Sequence, residues 1–82
     1  MSLSTIRANI DLVDDQIIEL LQKRMQLAKA AQGHKTSIED LAREEQILTR
    51  LMAKSTAELS ADFIRQFYGL IFSASKELQR RD

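Results

Sequence analysis

Few side chains in this chain of 82 residues could do chemistry, and their types narrow what that chemistry is. It has no cysteine and one histidine, His34, so thiolate nucleophiles and thiolate metal sites are excluded. No serine stands in a recognisable triad setting. Helical di-metal centres need Glu-x-x-His pairs, and the sequence has none. What remains is a set of cations and hydrogen-bond donors, Arg7, Arg24, Lys35, Arg43 and Gln79, with a few carboxylates that include Asp40 and Glu44. Such a set suits a small dianionic or dicarboxylate ligand. It implies neither a metal nor a cofactor.

Three of these polar positions interrupt apolar stripes. In the stretch Ser4 to Gln32, apolar residues recur at spacings of three and four, which predicts one long helix. Steps of seven along it give Ile10, Ile17, Arg24 and Ala31, so an arginine stands where the pattern asks for an aliphatic side chain. A second helix is expected from Ser37, capped by Ser37 with Asp40 at capping-box spacing, and ending near Ala53 to Ser55. Leu41, Leu48, Leu51 and Met52 form its apolar face, and Glu44 falls on that face. A third helix follows Ser60, with Phe63, Ile64, Phe67, Leu70, Ile71, Ala74 and Leu78 facing inward. Ser75 and Gln79 continue the row of Phe67 and Ile71 with polar groups. A polar group on one apolar face is commonly an edge residue reaching water. Such groups on all three helices point to a polar pocket inside a helical assembly.

The whole chain fits that picture. It has no proline and two glycines, which favours long helices over a loop-rich fold. Gly33 is the expected C-terminal cap of the first helix, and Ser4 or Thr5 its N-cap. Twelve basic and twelve acidic residues cancel, so the electrostatic footprint of a nucleic-acid binder is missing. No apolar run approaches a membrane span, and no signal peptide is visible, so the expected compartment is the cytoplasm. Residues 1–82 are read as a single helical domain. A compact chain of this size has a radius of gyration of about 12 Å, whereas a first helix of that extent spans roughly 43 Å. The helix overshoots its own globule, which predicts an obligate helical dimer.

The order Arg7-x-x-Ile10-Asp11-x-x-Asp14-x-x-Ile17-x-x-Leu20-Leu21-x-x-Arg24, then Lys35, then Asp40-x-x-Arg43-Glu44, then Ser75-x-x-x-Gln79, resembles the all-helical class of chorismate mutases. The resemblance runs from about Ile6 to Gln79. It implies an all-α homodimer of three-helix chains, intertwined through the long first helix, and a cofactor-free rearrangement of chorismate to prephenate. By position it implies that Arg24 binds one substrate carboxylate and that Arg7 reaches a carboxylate in the other subunit's site. Lys35 and Gln79 would donate to the ether oxygen. Glu44 and the region of Asp40 would hold the ring hydroxyl, Arg43 would orient Asp40 or the substrate, and Ser75 would assist carboxylate binding. An isochorismate pyruvate-lyase, a mutase for an amino-substituted chorismate and a non-catalytic dimerisation module remain open at this point. Only four residues separate Lys35 from Asp40, a shorter link than many relatives have. Lys76, where relatives often carry an apolar residue, either snorkels to water or adds a cation at the pocket rim.

Overall fold

The computed structural model describes residues 1–31, 34 and 40–80. Three helices account for most of them: α1 (Leu3–Ala30), α2 (Leu41–Met52) and α3 (Ala61–Arg80). No strand occurs among the described residues, and no helix is long and apolar enough to cross a membrane.

Helix α1 starts two residues earlier than the capping pattern predicts. Ser2, not Ser4 or Thr5, is its N-cap: the Ser2 hydroxyl accepts from the Thr5 backbone N–H at 3.1 Å and contacts the Thr5 hydroxyl at 2.9 Å. Three hydroxyl residues lie within four positions here, and the first of them takes the cap while Thr5 supports it from inside the helix. At the other end Ala31, in a right-handed conformation, closes the last turn by donating to the Leu27 and Ala28 carbonyls. The expected glycine cap at Gly33 lies outside the described residues, as do Lys35 and the expected Ser37 cap. The described N-cap of α2 is Asp40, whose Oδ1 accepts from the Arg43 backbone N–H at 2.9 Å. Helix α3 begins as the sequence predicts, with the Ser60 hydroxyl accepting from Phe63 N–H at 3.1 Å.

Helix α3 is the organising element. It packs against both α1 and α2, whereas those two make no close backbone approach among the described residues. The buried core is correspondingly small: Ile47 and Leu48 from α2 with Ile64, Ile71 and Phe72 from α3. Leu51, Met52 and Tyr68 pack around it. Two expectations about the inner faces change here. Leu41, Phe63 and Leu70 are 63%, 53% and 72% exposed, while Ile47 and Phe72 are core. Among the described residues α2 packs against α3, so its buried arc keeps Leu48, Leu51 and Met52 of the expected row, adds Ile47 and leaves Leu41 outside.

The overall dimensions also depart from those of a compact chain. The radius of gyration is 15.6 Å and the extents are 51 × 27 × 14 Å. Helix α1, with 28 residues, sets the long axis at about 1.5 Å per residue. None of its residues is buried; Ile6, Ile10, Val13 and Ile17 range from 40% to 52% exposed. Its hydrophobic stripe faces solvent in the single chain.

Candidate active site

Where α1 and α2 diverge on either side of α3, they leave a cavity of about 480 Å³. Arg24, Ala28 and Ala31 line it from the α1 side. Asp40, Arg43, Glu44 and Ile47 line it from α2, and Phe72, Ser75, Lys76 and Gln79 from α3. Ile47 and Phe72 supply apolar walls; most of the remaining lining is charged or amide-bearing.

Arg24 is partly buried and held from two directions. Its Nη1 donates to the Ser75 hydroxyl at 3.1 Å. Its guanidinium also lies over the Tyr68 and Phe72 rings, 5.7 and 5.8 Å from their centroids, within range of a cation–π attraction. The Ser75 hydroxyl has one hydrogen. The Ile71 carbonyl at 2.8 Å is its stronger acceptor, ahead of the Met25 sulfur at 3.7 Å. The oxygen lone pairs thus turn toward Arg24, and the arginine is oriented before any ligand arrives. A guanidinium has five N–H donors, so one bond to Ser75 leaves a fork for a carboxylate.

Gln79 is fixed by a different logic. Its Nε2 donates to the Ala28 carbonyl at 3.0 Å. Ala28 lies in the last turn of α1, where carbonyls lack their full complement of intrahelical donors. Gln79 supplies one from α3. Because a carbonyl only accepts, the nitrogen of the amide must face Ala28, and its second N–H is left for another acceptor.

Glu44, in the first turn of α2, forms an ion pair with Lys76: Oε2 lies 2.9 Å from Nζ, and both side chains are about one-fifth exposed. Arg43 meets Asp40 through its backbone N–H. Among the described residues, no group of three His, Asp or Glu side chains could hold a metal ion.

Six of the eight residues expected at the site therefore converge on one cavity: Arg24, Asp40, Arg43, Glu44, Ser75 and Gln79. Arg7 does not join them. It is exposed on α1 and lies about 25 Å from Arg24 along the helix axis at about 1.5 Å per residue. Lys35 lies outside the described residues. Sequence reading missed Tyr68 and Phe72 as partners of Arg24. The signal was present: Phe72 stands three before Ser75 and Tyr68 four before Phe72, so both belong to the face of α3 that carries Ser75.

Among the described residues, a helical fold brings a pre-oriented arginine and an anchored amide to one cavity, an arrangement suited to a small anionic ligand. Comparison with known proteins makes this specific. Residues 6–80 match the family model for chorismate mutase type II, and the chain belongs to that family. Its fold matches the crystal structure of chorismate mutase from Helicobacter pylori in complex with prephenate, with a TM-score of 0.83 and 30% sequence identity. The match covers 94% of this chain and 88% of that one. No curated protein sequence matches the chain significantly.

Proposed function

We propose that this chain is a chorismate mutase that rearranges chorismate to prephenate in the cavity between its helices, as a homodimer with shared sites. The convergence of Arg24, Glu44 and Gln79 on one cavity, from three helices, carries the reading. The reaction is an intramolecular rearrangement in which one carbon–oxygen bond breaks as one carbon–carbon bond forms. It needs no covalent intermediate and no general acid or base. Negative charge grows on the ether oxygen in the transition state, so donors already aimed there stabilise it without reorganising.

Arg24 binds one substrate carboxylate through the part of its guanidinium that Ser75 leaves available, and Ser75 assists by holding it in place. Gln79 donates its second N–H to the ether oxygen, and Lys35, as the resemblance implies, is the other donor to it. The Glu44 carboxylate and the region of Asp40 accept from the ring hydroxyl. Arg43 flanks them and orients the substrate. Clamping both carboxylates holds an extended molecule in its folded, reactive shape.

The second clamp is Arg7, which one chain cannot deliver to its own cavity. A partner chain lying along α1 would supply it and cover the exposed stripe of Ile6, Ile10, Val13 and Ile17. Residues 1–82 then work as one domain of a cytoplasmic homodimer. The test is direct. Purified protein is mixed with chorismate, loss of the enol–diene absorbance is followed, and the product is identified by mass. Acceleration with a product of unchanged mass supports the mutase. A product lacking pyruvate would assign a lyase instead, and no acceleration over buffer would refute enzymatic action on chorismate.

A further inference from the structure

The ion pair between Lys76 and Glu44 is a feature of the cavity that the mechanism above does not use. It joins α3 to α2 across the wall where the ring substituent is placed, with Nζ and Oε2 2.9 Å apart and the side chains 19% and 20% exposed. We propose that Lys76 is a specificity-determining residue, neutralising Glu44 so that the site takes a ring hydroxyl and rejects a ring ammonium; this rests on the chorismate mutase reading of the cavity.

A carboxylate alone on that wall would accept from a hydroxyl, but it would attract an ammonium more strongly, since opposite charges reinforce the hydrogen bond. With Lys76 in contact, the Lys76–Glu44 pair carries no net charge. The carboxylate keeps lone pairs for a neutral donor, because one Lys N–H does not fill the roughly four acceptor positions of two oxygens. A ring ammonium, in contrast, would sit within a few ångströms of the lysine ammonium, in a cavity that Arg24 and Arg43 also line. Like charges brought together in a partly desolvated site discriminate by repulsion rather than by improved contact with the favoured ligand. Asp40, the other carboxylate on the lining, has Oδ1 engaged by the Arg43 N–H and belongs to the α2 cap. Lys76 would also hold Glu44 in one rotamer, so that its acceptor lone pairs face a fixed position.

The measurement is the ratio of kcat/KM for chorismate to that for 4-amino-4-deoxychorismate, in wild type, Lys76→Met and Lys76→Arg. Methionine keeps the length and apolar stem while removing the charge. Wild type should favour chorismate. Lys76→Met should lower the ratio by about tenfold or more, and Lys76→Arg should keep it within about threefold, as expected when a partly buried like charge is respectively removed and retained. A merely structural lysine would change both substrates alike and leave the ratio fixed. Lys76→Gln replaces Lys76→Met should circular dichroism show the latter unfolded. A wild type active on chorismate whose ratio is unchanged in the charge-removing variant overturns the role of Lys76 alone. A wild type with no activity on chorismate overturns the parent reading and this inference with it.

Discussion

Replacing Gln79 with glutamate should convert a pH-insensitive catalyst into one that works only in acid. The Gln79 amide is neutral at any working pH and always has N–H groups to give. A carboxylate at that position has none. It would also turn an acceptor toward the Ala28 carbonyl, which now receives Nε2 at 3.0 Å. Protonation restores one O–H donor, enough for either the ether oxygen or the Ala28 carbonyl though not for both, so the structure favours the neutral form of the introduced carboxyl. A hydrogen bond of about 0.5–1.5 kcal/mol to that form raises the pKa by up to about one unit above about 4.3, at about 1.36 kcal/mol per unit. Desolvation and the negative substrate push it further up. Arg24, Arg43 and Lys76 pull it down, and the carboxylates of Asp40 and Glu44 on the same lining offset part of that pull. With an apparent value of about 5.5, about 1% of sites would be protonated at about pH 7.5. Activity there should fall about 10²-fold, within the range of about 10²–10³ for losing one such donor. The sign follows from the donor: activity is retained below the raised pKa and lost as pH rises through it. The assay is kcat/KM on chorismate across about pH 5 to 8, each value divided by wild type at the same pH so that other titrations cancel. A Gln79→Glu variant that folds normally but is equally impaired at both ends of the range would refute donation by Gln79. Its bond to Ala28 would then be a structural tie between α3 and α1.

Arg24→Ala should reduce kcat/KM by about 10³ or more while the protein keeps its helical circular dichroism, since it removes both a clamp and a transition-state charge. Ser75→Ala should cost only about tenfold, because Arg24 loses one orienting bond worth about 0.5–1.5 kcal/mol and keeps its place over Tyr68 and Phe72. Ile10→Asp, at a position 52% exposed in the single chain, should shift the mass in analytical ultracentrifugation from dimer to monomer and abolish activity; an active monomer would refute shared sites. Equal amounts of Arg7→Ala and Arg24→Ala chains, unfolded and refolded together, should recover on the order of a quarter of wild-type activity, since half of randomly paired dimers carry one intact site. Recovery no greater than the sum of the parents would place Arg7 outside the neighbouring cavity.

Helix existence and the polar positions were legible because each rests on short-range information. The 3.6-residue period exposed Arg24, Glu44, Ser75 and Gln79 as misfits on apolar faces, and those four do meet in one cavity. Local capping chemistry also placed Ser60 correctly. It failed at Ser2, where neighbouring hydroxyls compete and small differences in backbone geometry decide. Which arc of α2 is buried could not be read from periodicity alone. That arc depends on α2 having α3 as its neighbour among the described residues, a fact of tertiary packing that keeps Leu48, Leu51 and Met52 inward, adds Ile47 and leaves Leu41 exposed. The Arg24 partners Tyr68 and Phe72 were overlooked because aromatic residues on an amphipathic helix are ordinarily core. Here the same rings face both the core and a guanidinium.

Helix α1 unites the two properties that a lone chain leaves unresolved. Its C-terminal third carries Arg24 and Ala28 into the cavity, and Met25 against Ser75. Its N-terminal two-thirds hold an apolar stripe with nothing buried and an arginine about 25 Å from the site at about 1.5 Å per residue. Shortening the helix would expose less unpaired surface to solvent, but it would remove Arg7 as well. Lengthening the contact with α2 would cover the stripe, but α2 has 12 residues and its core face already meets α3. In the proposed homodimer, a second copy lying along the stripe would resolve both: it would bury the aliphatic residues and bring each Arg7 toward the opposite chain's Arg24. The separation of the two arginines along α1 is then the dimension that the proposed dimer would have to match, and inserting one helical turn between them should uncouple assembly from catalysis.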